Sequence, residues 1–291
     1  MIQLNKIIIT AACLLPAFAS QAQNAEQITA PEGYKLVWHD EFNGEGAPDP
    51  SSWTPEEGFV RNHEWQWYQA DNARQSDGSL IITARRESRP NPTYREGSKN
   101  WGEQRKNIEC TSSCYISKGK REFLYGRFEV RARIPASRGS WPAIWFHGSN
   151  WPWPSAGEVD LMEFYVRDGR RSILANACWG GENNQSAWNS GIIPFTHFTS
   201  KDSLWATQFH VWRMDWDKDF IKMYLDDELL NTIDLSKTFN GKGSAGEGQN
   251  PFRTPMYILL NLAMGSSGGP VEETTLPVRY EVDYVRVFQK K

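Results

Sequence analysis

The feature that most limits the fold of this chain is a succession of short segments in which apolar and polar residues alternate. A period of two residues is that of a β-strand, whose successive side chains point to opposite faces. Asp226-Asp227-Glu228 separates two apolar runs and predicts a hairpin turn. The segments that predict strands are residues 34–38, 79–84, 122–134, 143–146, 159–165, 173–179, 210–216, 221–225, 257–262 and 280–288.

Many short strands separated by Gly, Pro, Asn and Asp predict an all-β, two-sheet jelly-roll sandwich. No long amphipathic helix is visible, although residues 200–207 predict a short helical turn. Sandwiches of this size commonly form one domain, so we expect a single domain over residues 23–291. The predicted long loops, which are often functional, are residues 43–76, 86–112, 180–207 and 236–254.

The N-terminus has the pattern of a secretory signal. Lys6 precedes an apolar run over residues 7–18, and Ser20-Gln21-Ala22 fits a cleavage site. We therefore expect residues 1–22 to be a signal peptide and the chain to be exported, to the periplasm or the cell exterior. A lipoprotein attached through Cys13 is an alternative. No later run approaches the ~18 apolar residues of a transmembrane helix.

Charge and cysteine content exclude several classes of protein. With 32 basic and 35 acidic residues, the net charge of −3 does not suit a general nucleic-acid binder. Cys110, Cys114 and Cys178 are too few for a disulfide framework and lack zinc-site spacing. On one extended strand the Cα atoms of Cys110 and Cys114 would stand about 13 Å apart, too far to bridge, although a local turn could still pair them.

We expect the protein to be a monomer.

Three acidic residues interrupt an otherwise apolar strand. Glu158 and Asp160 share a face of a regular strand, whereas Glu163, five positions after Glu158, points to the opposite one. A β-bulge that absorbs Leu161 or Met162 would return Glu163 to the same face. Because burying an unpaired carboxylate costs several kcal/mol, folding alone does not explain this pattern.

The spacing of these carboxyl groups predicts a reaction. With the bulge, extended geometry leaves about 5–6 Å between the carboxyl groups of Glu158 and Glu163, near the separation of about 5–5.5 Å used by retaining glycosidases. One carboxylate would attack the anomeric carbon, and the other would protonate the leaving oxygen and then activate water. Asp160 lies between them and can hydrogen-bond Glu158. Crowded negative charge would keep one of these acids protonated near neutral pH.

At this point the chain resembles the family 16 glycoside hydrolases, particularly the laminarinase-like branch with its bulged Glu-x-Asp-x-x-Glu signature. The resemblance covers nearly the whole of residues 23–291. It implies a concanavalin A-like jelly roll with an open cleft, in which Glu158 is the nucleophile, Asp160 the assisting acid and Glu163 the general acid/base. Besides the acidic strand, the segments that carry it are residues 38–42, 125–131, 141–145, 209–212 and 281–287.

The same resemblance suggests substrate-binding residues. Trp141 and Trp145 share a face of a strand, where their rings would stack on a sugar near the bond to be cleaved. Asn62 and Trp67 belong to a stretch that lines the cleft in related enzymes. The candidate substrate-binding residues are Asn62, Trp67, Trp141, Trp145 and, on a Pro-bracketed loop before the acidic strand, Trp151 and Trp153.

Many members of the family also hold a structural calcium ion. The matching positions are Glu41, the backbone carbonyl of Gly78, and Asp283. Two carboxylates and a carbonyl are the hard oxygen ligands that Ca²⁺ prefers. The proposed chemistry itself needs no cofactor.

Two departures from the family pattern leave the substrate open. The Thr-x-His of many β-glucanases is replaced by Asn176-Ala177-Cys178, and the 86–112 loop is long enough to overhang the cleft. The first choice is an endo-acting hydrolase of β-1,3- or mixed-linkage β-1,3/1,4-glucan. The alternative is an endo-β-1,4-galactosidase acting on poly-N-acetyllactosamine, keratan or mucin O-glycans. A non-catalytic lectin is the outside alternative, and no Gly-x-Ser-x-Gly motif supports a serine hydrolase.

Overall fold

A computed structural model describes residues 28–271 and 276–291, which are almost entirely β-structure. The expected signal peptide and Cys13 lie outside the described residues. Two short helices are present in the described part, α1 (Trp101–Gln104) and α2 (Thr196–Thr199). The strands are β1 (Tyr34–Asp40), β2 (Thr54–Pro55), β3 (Trp67–Tyr68), β4 (Ala73–Ser76), β5 (Ser79–Pro90), β6 (Asn107–Ser112), β7 (Cys114–Ile116), β8 (Glu122–Phe123), β9 (Gly126–Arg133), β10 (Ser140–Gly148), β11 (Glu158–Arg167), β12 (Arg170–Gly180), β13 (Ser186–Pro194), β14 (His210–Trp216), β15 (Phe220–Leu225), β16 (Glu228–Asp234), β17 (Met256–Met264) and β18 (Val278–Lys290).

The strands form the two sheets that the alternating pattern predicts. A ten-stranded sheet has the order β16-β15-β14-β9-β18-β5-β6-β3, with β1 on β18 and β4 on β5. An eight-stranded sheet has the order β13-β12-β11-β10-β17-β7-β2, with β8 on β17. The chain crosses between the sheets repeatedly, as in a jelly roll, so the all-β sandwich prediction is confirmed.

One apolar core joins the facing sides of the two sheets. Phe128 on β9 meets Phe146 on β10 with ring centroids 5.1 Å apart, so the contact crosses from one sheet to the other. On β10 the inward residues Ile144 and Phe146 are fully buried. The alternate residues of that strand must then point away from the core. The outer face of the eight-stranded sheet is therefore where polar chemistry can be placed.

The structure corrects four local predictions. Residues 122–134 do not form one strand, because Tyr125 has a φ of 61° and the chain passes from β8 in one sheet to β9 in the other. The 180–207 loop contains the nine-residue edge strand β13. The 86–112 loop contains α1 and β6. The short helical turn is divided between α2 and a 3-10 turn at Trp205–Thr207.

The predicted hairpin turn is confirmed. The hairpin between β15 and β16 turns at Asp226 and Asp227, both with positive φ. Cys110, Cys114 and Cys178 are free and buried, so the first two are not paired in a disulfide. In the described part of the chain, no helix is long and apolar enough to span a bilayer.

Gly157, which directly precedes Glu158, has a local conformation that only glycine accommodates. Its φ is 79°, and a Cβ at this position would lie 2.8 Å from Cβ of Pro251. Gly157 therefore lets the chain enter β11 under a loop from another part of the sequence.

We predict that Gly157→Ala lowers the free energy of unfolding by about 2–5 kcal/mol, since left-handed strain and overpacking add. Gly169→Ala is the matched control, because its φ is 74° and no atom lies within 4 Å of the added Cβ. The control should lose only about 1–2 kcal/mol in urea denaturation. Equal losses in the two variants would show that the Pro251 contact is unimportant.

Candidate active site

A cleft with a volume of about 540 Å³ lies on the outer face of the eight-stranded sheet. It contains all three acidic residues of β11. Residues of β10 alternate into it at every second position, as the strand period requires. The residues that line it are Arg61, Asn62, Glu64, Trp141, Ala143, Trp145, His147, Trp153, Glu158, Asp160, Glu163, Tyr165, Trp188, Asn261 and Ser267.

A β-bulge brings the three carboxyl groups to one face. In the pairing with β12, Asp160 is opposite Asn176 and Glu163 is opposite Leu174, so β11 uses one more residue than its partner. Leu161 and Met162 both turn into the core. Glu163 therefore joins Glu158 in the cleft, as the bulge hypothesis predicts.

Glu163 is held by hydrogen bonds from two neighbouring strands. The indole nitrogen of Trp141 on β10 donates to Glu163 Oε1 at 2.8 Å. The amide of Asn176 on β12 donates to Glu163 Oε2 at 3.2 Å and to Asp160 Oδ2 at 3.4 Å. These donors fix the orientation of the carboxyl group and stabilise its ionised form.

Asp160 forms a hydrogen bond with a different neighbour from the one that the sequence predicts. The sequence suggests a hydrogen bond from Asp160 to Glu158, whereas the structure shows one to Glu163. Burial and the charges of Glu163 and Glu158 raise the pKa of Asp160 well above its ordinary value, which favours the protonated carboxyl group that can donate to Glu163. Asp160 therefore lies next to Glu163 as a proton donor.

Burial also raises the pKa of the two glutamates. The pKa of Glu158 rises to about 8, first through burial and then through the charge of Glu163, while hydrogen bonding to Trp153 and the charge of Arg61 oppose the rise. The pKa of Glu163 rises to about 7 through burial, against the hydrogen bonds from Trp141, Asn176 and Asp160. The cleft therefore retains carboxyl protons near neutral pH, as acid catalysis requires.

A second network, on the β10 side of the cleft, was not foreseen from the sequence. The Arg61 guanidinium lies 5.2 Å from the ring centroid of Trp145 and is paired with Glu56. The Trp145 indole donates to Asn261 Oδ1 at 2.7 Å, and the Asn261 amide in turn donates to the Tyr68 hydroxyl at 3.0 Å. The face and the N–H of Trp145 are thus both engaged, which holds the ring in place. Arginine neighbours aromatic residues in many sequences, so spacing alone does not reveal this role.

The structure places four of the six candidate substrate-binding residues in the cleft, namely Asn62, Trp141, Trp145 and Trp153. Trp151 is not among the lining residues, and it packs against the 236–254 loop, where a Cβ on Gly246 would lie 2.5 Å from its indole. Trp188 lines the cleft but was overlooked, because its strand was predicted to be a loop.

The position of Trp67 contradicts the prediction that it binds substrate in the catalytic cleft. Only 4% of Trp67 is exposed, and its ring packs edge-on to Phe59 with centroids 5.4 Å apart. It borders a separate cleft of about 430 Å³ that is also lined by Pro92 and Asn100. The side chain therefore does not reach the carboxyl groups.

The 86–112 segment likewise does not overhang the catalytic cleft. Its Arg105 donates to the carbonyl oxygens of Trp65 and His63 at 3.0 and 3.1 Å. No residue of this segment is among those that line the catalytic cleft in the described structure. The segment instead supports the chain that carries Asn62.

The expected calcium ligands do not fit an ion as they are arranged. Both carboxylate oxygens of Glu41 accept from Arg286, at 2.9 and 2.7 Å, and Asp283 is paired with Arg131. Within residues 28–271 and 276–291, no three His, Cys, Asp or Glu side chains cluster as metal ligands. The arginines neutralise the charge that Ca²⁺ would need, so no step of the chemistry below involves a metal.

The carboxyl groups and indole rings on one face of this jelly-roll sandwich are the groups that glycoside hydrolases use to cleave a glycosidic bond. The chain belongs to the glycosyl hydrolases family 16, whose sequence profile matches residues 59–286.

Three similar proteins illustrate the range of this family. A β-glucanase of Rhodothermus marinus is 32% identical over 88% of this chain and 85% of its own length. A glucan endo-1,3-β-glucosidase of Cryptopygus antarcticus is 32% identical over 94% of this chain and 96% of its own. A solved structure, described among the endo-acting O-glycanases that human gut microbiota express to initiate mucin breakdown, is 34% identical, with a TM-score of 0.79 over 90% of this chain and 93% of its own.

The raised pKa of Glu158 predicts how stability depends on pH. The folded-state pKa of about 8 lies above the reference value of 4.5, so the folded protein holds this proton more tightly than the unfolded chain between those two values. The free energy of unfolding of the wild type should therefore fall across pH 4.5–8, by up to about 1.4 kcal/mol per unit, relative to Glu158→Gln. Urea denaturation at several pH values measures this difference. Exposed Glu96→Gln is the control and should parallel the wild type.

The hydrogen bond from Trp141 predicts a shift in the pH profile. Trp141→Phe keeps an aromatic ring but removes the N–H that stabilises ionised Glu163, so the pKa of Glu163 should rise and the alkaline limb of kcat/KM should move up by about 1 unit. Trp145→Phe is the matched control, since its N–H donates to Asn261. A limb that moves equally in both variants would argue against the assignment of Glu163 as the acid.

Proposed function

We propose that this protein is a retaining endo-β-glycosidase that cleaves internal bonds of a glycan by double displacement. The observation that carries the proposal is the bulge after Asp160, which brings Glu158 and Glu163 to the same face within one cleft. Retaining enzymes need two carboxyl groups on either side of one glycosidic bond. A lectin would gain nothing from three buried carboxyl groups, each of which costs free energy to desolvate.

The roles follow from the contacts of each group. Glu158 attacks the anomeric carbon as a carboxylate while the glycosidic C–O bond breaks. Burial and the charge of Glu163 raise its pKa to about 8, and Arg61 and Trp153 partly oppose that rise. Glu163 gives its proton to the leaving oxygen, with the proton of Asp160 within hydrogen-bonding reach. Glu163 then takes a proton from water, and the water oxygen displaces Glu158 from the sugar.

The first-choice substrate is a β-1,3- or mixed-linkage β-1,3/1,4-glucan. Relatives described as β-glucanase and glucan endo-1,3-β-glucosidase, each matching more than four-fifths of this chain, support it. The indoles of Trp141 and Trp145 supply flat apolar faces for glucosyl rings. A chain exported through its expected signal peptide would meet such polysaccharides outside the cytoplasm.

The second candidate is an endo-β-1,4-galactosidase acting on poly-N-acetyllactosamine, keratan or mucin O-glycans. Two observations favour it: the similarity to an O-glycanase structure, and Asn176 and Cys178 at the positions where many β-glucanases have Thr and His. Asn176 is committed to Asp160 and Glu163, so the contacts near the reacting sugar differ from those in a Thr-x-His enzyme.

A panel of laminarin, mixed-linkage β-glucan, keratan and mucin O-glycans distinguishes these functions. We predict oligosaccharides from the outset with a β-glucan, and the first products should have the β-anomeric configuration in NMR spectra. Glu163→Gln should lower kcat on the cleaved glycan by about 10²–10⁴-fold. Oligosaccharides from keratan or mucin glycans alone would select the galactosidase. Binding without turnover, unchanged in Glu158→Gln, would identify a lectin.

A further inference from the structure

Trp188 is a large aromatic side chain in the cleft that the mechanism above does not use. It lies on the edge strand β13, with 46% of its surface exposed, and it lines the same cleft as the three carboxyl groups. Within the described residues, no other aromatic ring or cation stacks on its indole. An exposed indole on an edge strand contributes little to the core, so folding gives no reason for tryptophan at this position.

The strand register places Trp188 in line with the nucleophile. Trp188 is opposite Cys178 on β12, and Cys178 is opposite Glu158 on β11. Residues directly opposite on neighbouring strands project to the same face. With strands about 4.8 Å apart, Trp188 lies two strands, or roughly 9.6 Å, from Glu158 across the sheet. A glycan lying across the strands would cover that distance with on the order of two sugar units.

Trp188 and Glu158 line one and the same cleft. Cys178, the residue between them in the row, has a small side chain and is fully buried. On the other side of Glu158, the same row continues to His147 on β10. Trp188 therefore lies on the opposite side of the carboxyl groups from Trp145, which is on β10, and from Arg61, which lies against Trp145.

Trp153 is a second exposed indole that lines this cleft. It hydrogen-bonds Glu158 and has 49% of its surface exposed. The cleft thus has indoles on both sides of the acidic strand, Trp141 and Trp145 on β10 and Trp188 on β13. Rings on both sides suit a chain that continues past the cleaved bond in both directions.

We propose that Trp188 is a sugar-binding platform that holds a unit of the glycan about two residues from the cleaved bond, on the β13 side of the cleft. The indole stacks on the apolar face of that sugar and leaves its hydroxyl rim toward solvent. The platform makes efficient cleavage depend on a chain that extends to β13. This inference rests on the proposed glycosidase function and specifies which part of the substrate that function requires.

The test compares wild type, Trp188→Ala and Trp188→Phe on an oligosaccharide series from the glycan that the wild type cleaves. Phe220→Ala is the matched control, because Phe220 is 40% exposed on β15 of the other sheet. Each variant's melting temperature is measured. For oligosaccharides long enough to reach β13, Trp188→Ala should raise KM and lower kcat/KM by about tenfold, with kcat little changed.

The shortest cleaved oligosaccharide should react equally well with Trp188→Ala and wild type, because it does not reach β13. Trp188→Phe should recover part of the affinity for long chains, and Phe220→Ala should match the wild type throughout. Equal losses on short and long chains, or no loss on either, would overturn the platform while the hydrolase stands. A wild type that cleaves none of the four glycans in the panel would overturn the proposed hydrolase instead.

Discussion

The free energy of keeping three carboxyl groups out of water is the constraint on which the rest of the cleft depends. A buried carboxylate without partners costs several kcal/mol. The structure meets this cost by protonating Asp160 and by directing the N–H groups of Trp141 and Asn176 at Glu163. Arg61 places a positive charge near Glu158. The groups that stabilise the folded state are therefore the ones that set the proton positions for catalysis.

Much of the fold can be predicted from the sequence because its strands have one buried face. Strand β14 has the bounds that alternation predicts, since every second residue enters the core. Strand β13 was missed because it is an edge strand in which small and polar residues hide the period. The break between β8 and β9 was missed because apolar residues continue through it, and only the backbone at Tyr125 changes direction.

The acidic centre was predictable and its surroundings were not, for a physical reason. Glu158, Asp160 and Glu163 are close in the chain, so strand geometry relates them directly. Trp188 reaches the centre only through pairing across two strands, and register between distant segments is not visible in a single sequence. Trp67 is the opposite of Trp188: it is close in sequence to the cleft residue Asn62, yet its side chain is buried beside Phe59 and does not enter the cleft.

The loop over residues 236–254 packs against the connection that leads into the acidic strand, and Pro251 lies against the glycine that precedes Glu158. Trp151, on the connection into β11, rests on Gly246 of the same loop. Replacements in this remote loop can therefore alter the angle at which the nucleophile approaches the sugar without changing any residue that touches it.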